Sequence, residues 1–435
     1  MGCIDMDKCL KNNGQAMTMA EKIFSRLSGA KVKPGDFVTV KPDRLMVNDM
    51  MALIADSLEE FNLEQFHDPE KLVVVLDHFV PPPSAKHAAM IRRGVDIFRR
   101  HGLKHFLGEA GVSHQVMCEK GFVRPGELVL GTDSHSTLYG AFGAAGAGIG
   151  ATEMTYLLAT GELWFQVPKT IKVKIYGTKG PAVSAKDVML SLLKKKGGDY
   201  ARYKAVEYTG DGAESFSMSE RMTLSNMGAE FGAKFAFFNA DKKTSDYLNG
   251  RVEETIEAFS ADDDADYCET INLDISDMEP QVACPHSPDN ISDISAISGM
   301  KVDQAYLGSC TNARFEDLAL AASVLKGKTV SSHTRLLVVP ASQQVMLDAT
   351  KAGHVATLIE AGAQFVTPGC GACAGLHSGL LAPKEVCIST INRNFAGRMG
   401  SPESQLYLAS PAVVAASAIT GEISDPRKVR PELFS

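Results

Sequence analysis

The sequence predicts an α/β protein made of three layered α/β/α domains, and three observations carry that expectation. At 435 residues the chain exceeds one ordinary hydrophobic core and fits about three domains of roughly 150 residues each. Short apolar runs of strand length alternate with amphipathic stretches of helix length throughout, the pattern of layered α/β structure. One such run, Leu72 to Leu76 (LVVVL), is apolar at every position, as a strand covered on both faces is.

Composition narrows the class. Apolar residues make up 45% and charged residues 22%, the balance of a folded globular protein rather than a disordered or fibrous one. The formal net charge of −8 argues against nucleic acid as a partner, because phosphate backbones are bound through clustered Lys and Arg. The start, MGCIDMDKCLKNNGQA, lacks an apolar stretch of signal-peptide length, and no run approaches the ~18 apolar residues of a membrane span. A cytoplasmic, reducing location with no membrane partner is expected. Nine cysteines, an odd number, then read as thiols and metal ligands rather than a disulfide framework. Cys118, Cys268, Cys284 and Cys387 are expected to be ordinary small side chains, and Cys3 and Cys9 to lie in an N-terminal extension, residues 1–16.

The first domain, 17–168, opens with a helix from Thr18 to Arg26, capped by Thr18 with Glu21 three residues on. A strand at Phe37 to Val40 and a helix from Asp49 to Phe61 follow. Leu72 to Leu76 delivers Asp77 and His78 at its C-terminal end, the end at which ligands bind in open α/β sheets. After a rigid loop and a helix from His87 to His101, a second junction delivers His114. A third, the strand Glu127 to Gly131, leads into Thr132, Asp133, Ser134, His135 and Ser136. One core histidine would be unremarkable, but three junctions presenting acid/base side chains point to a reaction site. The small-residue run Gly140 to Gly150 fits tight helix packing better than a dinucleotide fingerprint, and its helix is expected to end near Trp164 and Pro168.

The second domain, 169–285, starts with Thr170 to Tyr176, whose alternation predicts an antiparallel or edge strand. Ser219 to Glu230 predicts a helix carrying Asn226 and Glu230 on one face. The charge runs Lys194 to Lys196 and Asp262 to Asp266 read as solvated surface. Pro280 to Asn290 has the composition of a connector, so the third domain is 286–435. Its strands are expected at Asp303 to Leu307, Arg335 to Pro340 and around Gln364 to Thr367.

Chemistry concentrates in Val366 to Arg398, where Cys370 and Cys373 form a C-x-x-C pair among glycines and Arg393 and Arg398 follow about twenty residues later. Cys310 ends another strand in a Gly-rich loop, so the three thiols can converge at one sheet edge. Three readings stand at this point. A closed zinc site would draw a fourth ligand from His377; an iron–sulfur cluster held by three cysteines would leave one iron open as a Lewis acid; or the thiols are unconnected. The arginine forks suit carboxylates, which they bind bidentately.

GSCTN (Gly308 to Asn312), PGCGAC (Pro368 to Cys373), NRNFAGR (Asn392 to Arg398), GTDSHS (Gly131 to Ser136) and SNMGAE (Ser225 to Glu230) together resemble the aconitase superfamily. The similarity runs from about Met17 to the end and looks nearest to the large subunits of isopropylmalate dehydratase and homoaconitase. The resemblance implies iron–sulfur α/β domains around a cluster-containing cleft. It implies that Cys310, Cys370 and Cys373 hold a 4Fe-4S cluster with one iron not ligated by protein. Asp77, His78, His114, Asp133 and His135 would form the acid/base network, Ser134, Arg393 and Arg398 would hold substrate carboxylates, and Asn226, Glu230 and Asn392 would line the cluster.

The activity implied is a hydro-lyase that dehydrates or isomerises a 2-hydroxy di- or tricarboxylic acid, with 3-isopropylmalate leading and homocitrate, dimethylmalate, citraconate or maleate as alternatives. Because some single-chain relatives bind RNA when the cluster is lost, an iron-sensing RNA-binding protein is the reading from another class; the acidic balance opposes it. Those relatives also carry a C-terminal swivelling domain with the serine base; the resemblance implies that here this domain is on a separate small subunit, which is the expected partner. The family commonly has Pro and Leu where this chain has Ala372 and Ala374.

Overall fold

The computed structural model describes residues 16–434, so Cys3 and Cys9 and nearly all of the expected extension lie outside the described residues. The opening helix runs Met19–Ser28. Glu21 N donates to Thr18 Oγ1 at 3.3 Å while Glu21 Oε2 accepts from Thr18 N at 2.9 Å, which satisfies two otherwise unpaired amides of the first turn.

β1 (Phe37–Val40) falls where the sequence puts it. β2 (Arg44–Val47), β3 (Leu72–Val75), β4 (His105–Gly108), β5 (Leu128–Gly131) and β6 (Ala145–Gly148) then form an all-parallel sheet in the order β4-β3-β2-β5-β6. The chain leaves the central strand β2 toward one edge and returns to add β5 and β6 on the other side. That reversal opens a crevice at the C-terminal ends of β2, β3 and β5.

Several local expectations change. The helix expected from Asp49 spans Met51–Glu60, which leaves Asp49 free to act elsewhere. The glycine run does not serve helix packing: Ser134–Phe142 is a 3₁₀ segment and Ala145–Gly148 is β6. A Cβ on Gly146 would strike the Ser136 carbonyl and one on Gly140 the Ala236 carbonyl, so the small residues let backbone meet backbone. The next helix, Ala151–Thr160, stops at Gly161 in the left-handed region (φ 78°), and the residues expected to continue it form β7 (Leu163–Gln166), antiparallel to β1.

β8 (Thr170–Tyr176), β9 (Ala205–Thr209), β10 (Phe235–Phe238) and β11 (Glu269–Asp274) make a second parallel sheet, ordered β10-β9-β8-β11. The expectation of an antiparallel or edge β8 is corrected: it lies inside the sheet, parallel to both neighbours. Its alternation arises because Ile171, Val173 and Ile175 are buried while Lys174 and Tyr176 face outward. The buried face shares a core with the helices Ala185–Lys196 and Met218–Met227. The second of these ends at Met227, so Glu230 lies in the turn beyond it and not on the same helix face as Asn226.

The third sheet takes β12 (Gln281–Ala283), β13 (Ile291–Asp293), β14 (Gln304–Leu307), β15 (Arg335–Val338), β16 (Gln364–Phe365), β17 (Val386–Ser389) and β18 (Gln405–Leu408), in the order β13-β12-β18-β17-β14-β15-β16. β14 to β18 pair in parallel, and β12 joins β13 and β18 antiparallel. The expected connector Pro280 to Asn290 therefore contains a strand, because its Gln-Val-Ala segment closes onto β18. One apolar cluster runs from β8 and its helices to Tyr306, Ala372 and Leu406, so the second and third sheets share a core. Among the described residues no helix is long and apolar enough to cross a membrane.

Candidate active site

The crevice of the first sheet gathers the acid/base residues. Asp77 and His78 follow β3 and Asp133 follows β5, as the strand pattern predicts. His114 and His135 do not sit in loops: His114 is in the first turn of the helix Ser113–Glu119, and His135 is the second residue of the 3₁₀ segment Ser134–Phe142, its backbone N–H donating to Oδ1 of the capping Asp133 at 2.8 Å. Asp133 is the hub of the group. Its Oδ1 lies 3.2 Å from both His114 Nε2 and His135 Nδ1, and its Oδ2 lies 3.7 Å from His78 Nε2. Burial would raise the Asp133 pKa, but the contacts with His114 and His135 outweigh it and hold the carboxyl well below the usual range. His78 Nδ1 contacts Asp77 Oδ1 at 2.6 Å.

Two residues that the sequence reading left out complete this corner. Asp49 Oδ2 accepts from the backbone N–H of Asp77 at 2.8 Å and of His78 at 2.7 Å, and Asn48 Nδ2 lies 3.4 Å from His78 Nδ1. Burial, then the charge of Asp77, pushes the Asp49 pKa up to about 6. The available signal was position: Asn48 and Asp49 directly follow β2, the strand between the two that deliver His78 and Asp133.

Glu230 meets these residues from the second sheet's side. Its Oε1 lies 2.8 Å from His135 Nε2 and 2.8 Å from Arg393 Nε. Burial would raise its pKa, but His135 and Arg393 hold the carboxyl below the ordinary value. Ser134 is exposed beside this group.

The three thiols come together from two loops of the third sheet. Cys310, Cys370 and Cys373 are free and buried, and Cys310 and Cys370 pack in one cluster with Val112. Cys373 N donates to the Cys370 carbonyl at 3.1 Å, and Cys370 N to the Asp77 carbonyl at 2.8 Å, so the C-x-x-C turn is pinned to the acid/base crevice. The turn needs its glycines: at Gly371 (φ 55°) an added Cβ would lie 2.5 Å from Tyr306 Oη, and at Gly375 (φ 71°) 2.9 Å from the Arg398 carbonyl. The side-chain donors of Asp77, His78 and Cys370 lie within 4.8 Å of one another.

Asn392 Nδ2 donates to Asn226 Oδ1 at 3.0 Å and lies 3.2 Å from Cys310 Sγ; Arg398 Nη2 lies 3.6 Å from Cys373 Sγ. Asn226 and Asn392 thus stand beside the thiols, whereas Glu230 stands with the histidines. His377 does not complete a fourfold set, because Nε2 contacts the His78 carbonyl at 2.8 Å and Nδ1 contacts Ser378 Oγ at 2.6 Å. The zinc reading loses its fourth ligand.

The donor set fits a thiolate-bound cluster. Burial, then the charges of Asp133 and Cys373, pushes the Cys310 pKa up to about 12, and burial likewise raises Cys370; ligation is what ionises such thiols. Around them the buried Asn226 Nδ2, Asn392 Oδ1 and Arg398 Nε find no partner among the described residues, as groups left for a bound object do. His114 Nε2 is also without a hydrogen bond, since its approach to Asp133 is off line.

Comparison with known proteins identifies the family. A model of the aconitase family (aconitate hydratase) matches residues 21–299 and 292–421. The 3-isopropylmalate dehydratase large subunit 1 of Methanopyrus kandleri is 47% identical over 412 residues, 94% of this chain and 99% of that protein. The 3-isopropylmalate dehydratase large subunit of Moorella thermoacetica is 44% identical over 417 residues, 95% and 99% of the two chains. The probable methanogen homoaconitase large subunit of Methanothermobacter thermautotrophicus is 43% identical over 419 residues, 95% and 98% of the two. With matches of this extent along its length, the chain belongs to the aconitase family of hydro-lyases.

Proposed function

We propose that this chain is the large subunit of a two-chain 4Fe-4S hydro-lyase that dehydrates or isomerises a 2-hydroxy di- or tricarboxylic acid, 3-isopropylmalate foremost. The observation that carries the reading is the joining of the Cys370 turn to Asp77 and His78, which sets three free thiols beside an Asp–His network. The units 17–168, 169–285 and 286–435 supply the network, the Asn226 and Glu230 side, and the thiols with the arginines. We take them as three domains around a cluster-containing cleft, with β12 belonging to the third sheet.

Cys310, Cys370 and Cys373 are the residues that would hold the cluster. When bound, such a cluster supplies Lewis-acid chemistry at the iron without a protein ligand. His114, with a ring nitrogen free of other partners, delivers a proton to the departing hydroxyl, and Asp133 sets the ring and balances its charge. Asp77 and His78 form the second arm of the network. Arg393 and Arg398 bind carboxylates as planar forks, with Ser134 at the exposed side. Asn226 and Asn392 line the cluster, and Glu230 anchors His135 and Arg393 in one geometry.

The relatives' names, large subunit in each case, support pairing with a small subunit, which we propose carries the swivelling domain and the serine base. A homocitrate-type substrate is the second reading, because the homoaconitase relative matches almost as closely as the isopropylmalate ones. The test is co-expression with the small subunit, anaerobic cluster reconstitution, and assay of a panel of 2-hydroxy acids by absorbance of the unsaturated product. Dehydration of isopropylmalate is the expected result; an intact cluster that turns over no member of the panel overturns the reading.

A further inference from the structure

Lys186 lies in the first turn of the helix Ala185–Lys196 and its side chain is fully buried. Its Nζ donates to the main-chain carbonyls of Thr390 at 2.6 Å and Ile391 at 2.7 Å. β17 ends at Ser389, and among the described residues no main-chain N–H reaches these two carbonyls. The next residues are Asn392, 3.2 Å from Cys310 Sγ, and Arg393, paired with Glu230. Thr390 also clamps the other thiol loop, since its Oγ1 accepts from Gly308 N and donates to the Gly308 carbonyl, both at 2.9 Å.

We propose that Lys186 is a positioning residue for the reaction: its ammonium bridges the helix of the second sheet to the turn that carries Asn392 and Arg393 and so fixes the carboxylate-binding grip. This rests on the role proposed above for Arg393. Plain fastening of the helix falls to its neighbour, because Asp187 caps Ser184 and accepts from Gln281 N at 2.8 Å. A fully buried ammonium is costly where no acceptors meet it, and burial pushes the Lys186 pKa down to about 7 against the opposing charges of Asp187 and Asp317. An apolar side chain would pack there without that cost if nothing needed holding. The two carbonyls, which turn away from the sheet ladder, are what the charge holds.

The experiment uses Lys186→Met in two forms. In the cluster-loaded large subunit, hydrogen exchange at the amides of residues 390–398 is expected to speed up by about tenfold or more, while iron content and visible absorbance stay as in the parent. In the complex with the small subunit, KM for the hydroxy acid is expected to rise about tenfold with a smaller change in kcat, the signature of lost carboxylate binding, and Lys186→Arg is expected to recover part of it. Unchanged exchange at 390–398 overturns the proposal whatever the enzyme turns over; a parent that turns over nothing counts against the hydro-lyase reading instead. If exchange speeds up but KM stays at the parent value, Lys186 is a structural anchor only and the proposal falls. Where Lys186→Met does not fold, Lys186→Gln, with an amide donor for one carbonyl, is judged by the same outcomes.

Discussion

Arg393 Nε forms an ion pair with Glu230 Oε1 at 2.8 Å, and the same oxygen lies 2.8 Å from His135 Nε2. One buried carboxylate therefore ties the arginine of the third sheet to the histidine of the first. Glu230→Gln removes the charge both partners use while nearly keeping the shape. A hydrogen bond to a charged group contributes about 1.5–3 kcal/mol, so kcat/KM is expected to fall about 10- to 100-fold. Steady-state kinetics of the reconstituted complex measure this, and wild-type kinetics for the variant would remove Glu230 from the site.

Asp49 holds the amides of Asp77 and His78. Asp49→Ala leaves two buried donors unpaired, at about 1–3 kcal/mol each. A urea titration is expected to show a loss of about 2–5 kcal/mol, with activity reduced further because His78 loses its support. A variant as stable and as active as the parent would show that Asp49 braces nothing.

Glu127 provides a pH handle away from the thiols. Burial, then the neighbouring charge of Asp43, pushes its pKa up to about 7 from 4.5, and its hydrogen bond from Arg124 N at 3.2 Å does not compensate. Between those two values the unfolded chain has released the proton and the folded chain retains it. Stability from this group is therefore whole below the unfolded value and declines as pH rises through 7. Glu127→Gln is expected to flatten that slope, by less than the ~3 kcal/mol of the full shift because the side chain is partly exposed. Parallel slopes in thermal melts between the two pH values would refute it.

Cys310→Ser, Cys370→Ser and Cys373→Ser are each expected to abolish iron retention and visible absorbance after reconstitution, with activity lost. Cys118→Ala and Cys387→Ala, whose thiols are buried away from the crevice with pKa values raised by burial, are expected to retain iron. Iron analysis discriminates: full iron in any of the first three variants removes that cysteine from the ligand set. Chelation of the parent should likewise abolish turnover.

Much of this was written locally. The apolar run at Leu72 gave β3, Thr18 with Glu21 gave the first capping box, and GSC and GCGAC placed the thiols in glycine-rich turns after strands. Each depends on residues within a few positions of one another, so spacing alone was enough. The errors were also local rules overridden by tertiary context. Alternation in Thr170 to Tyr176 indicated one exposed face, which parallel strands also have when helices cover a single side. Gln281–Ala283 was too short and too flanked by proline to read as a strand until β18 supplied its partner.

By itself the sequence determined where the chemistry-bearing side chains lie along the chain and, through five ordered motifs, the family to which they belong. The tertiary structure decided which of them meet. The reversal of strand order at β2 brings Asp49 against residues 28 and 29 positions away, and the packing of the second sheet on the third brings Lys186 to carbonyls more than 200 positions away. It also turns His377 toward the His78 carbonyl and away from the thiols. Such contacts follow from how sheets stack and where buried polar groups find partners, and residue spacing does not encode either.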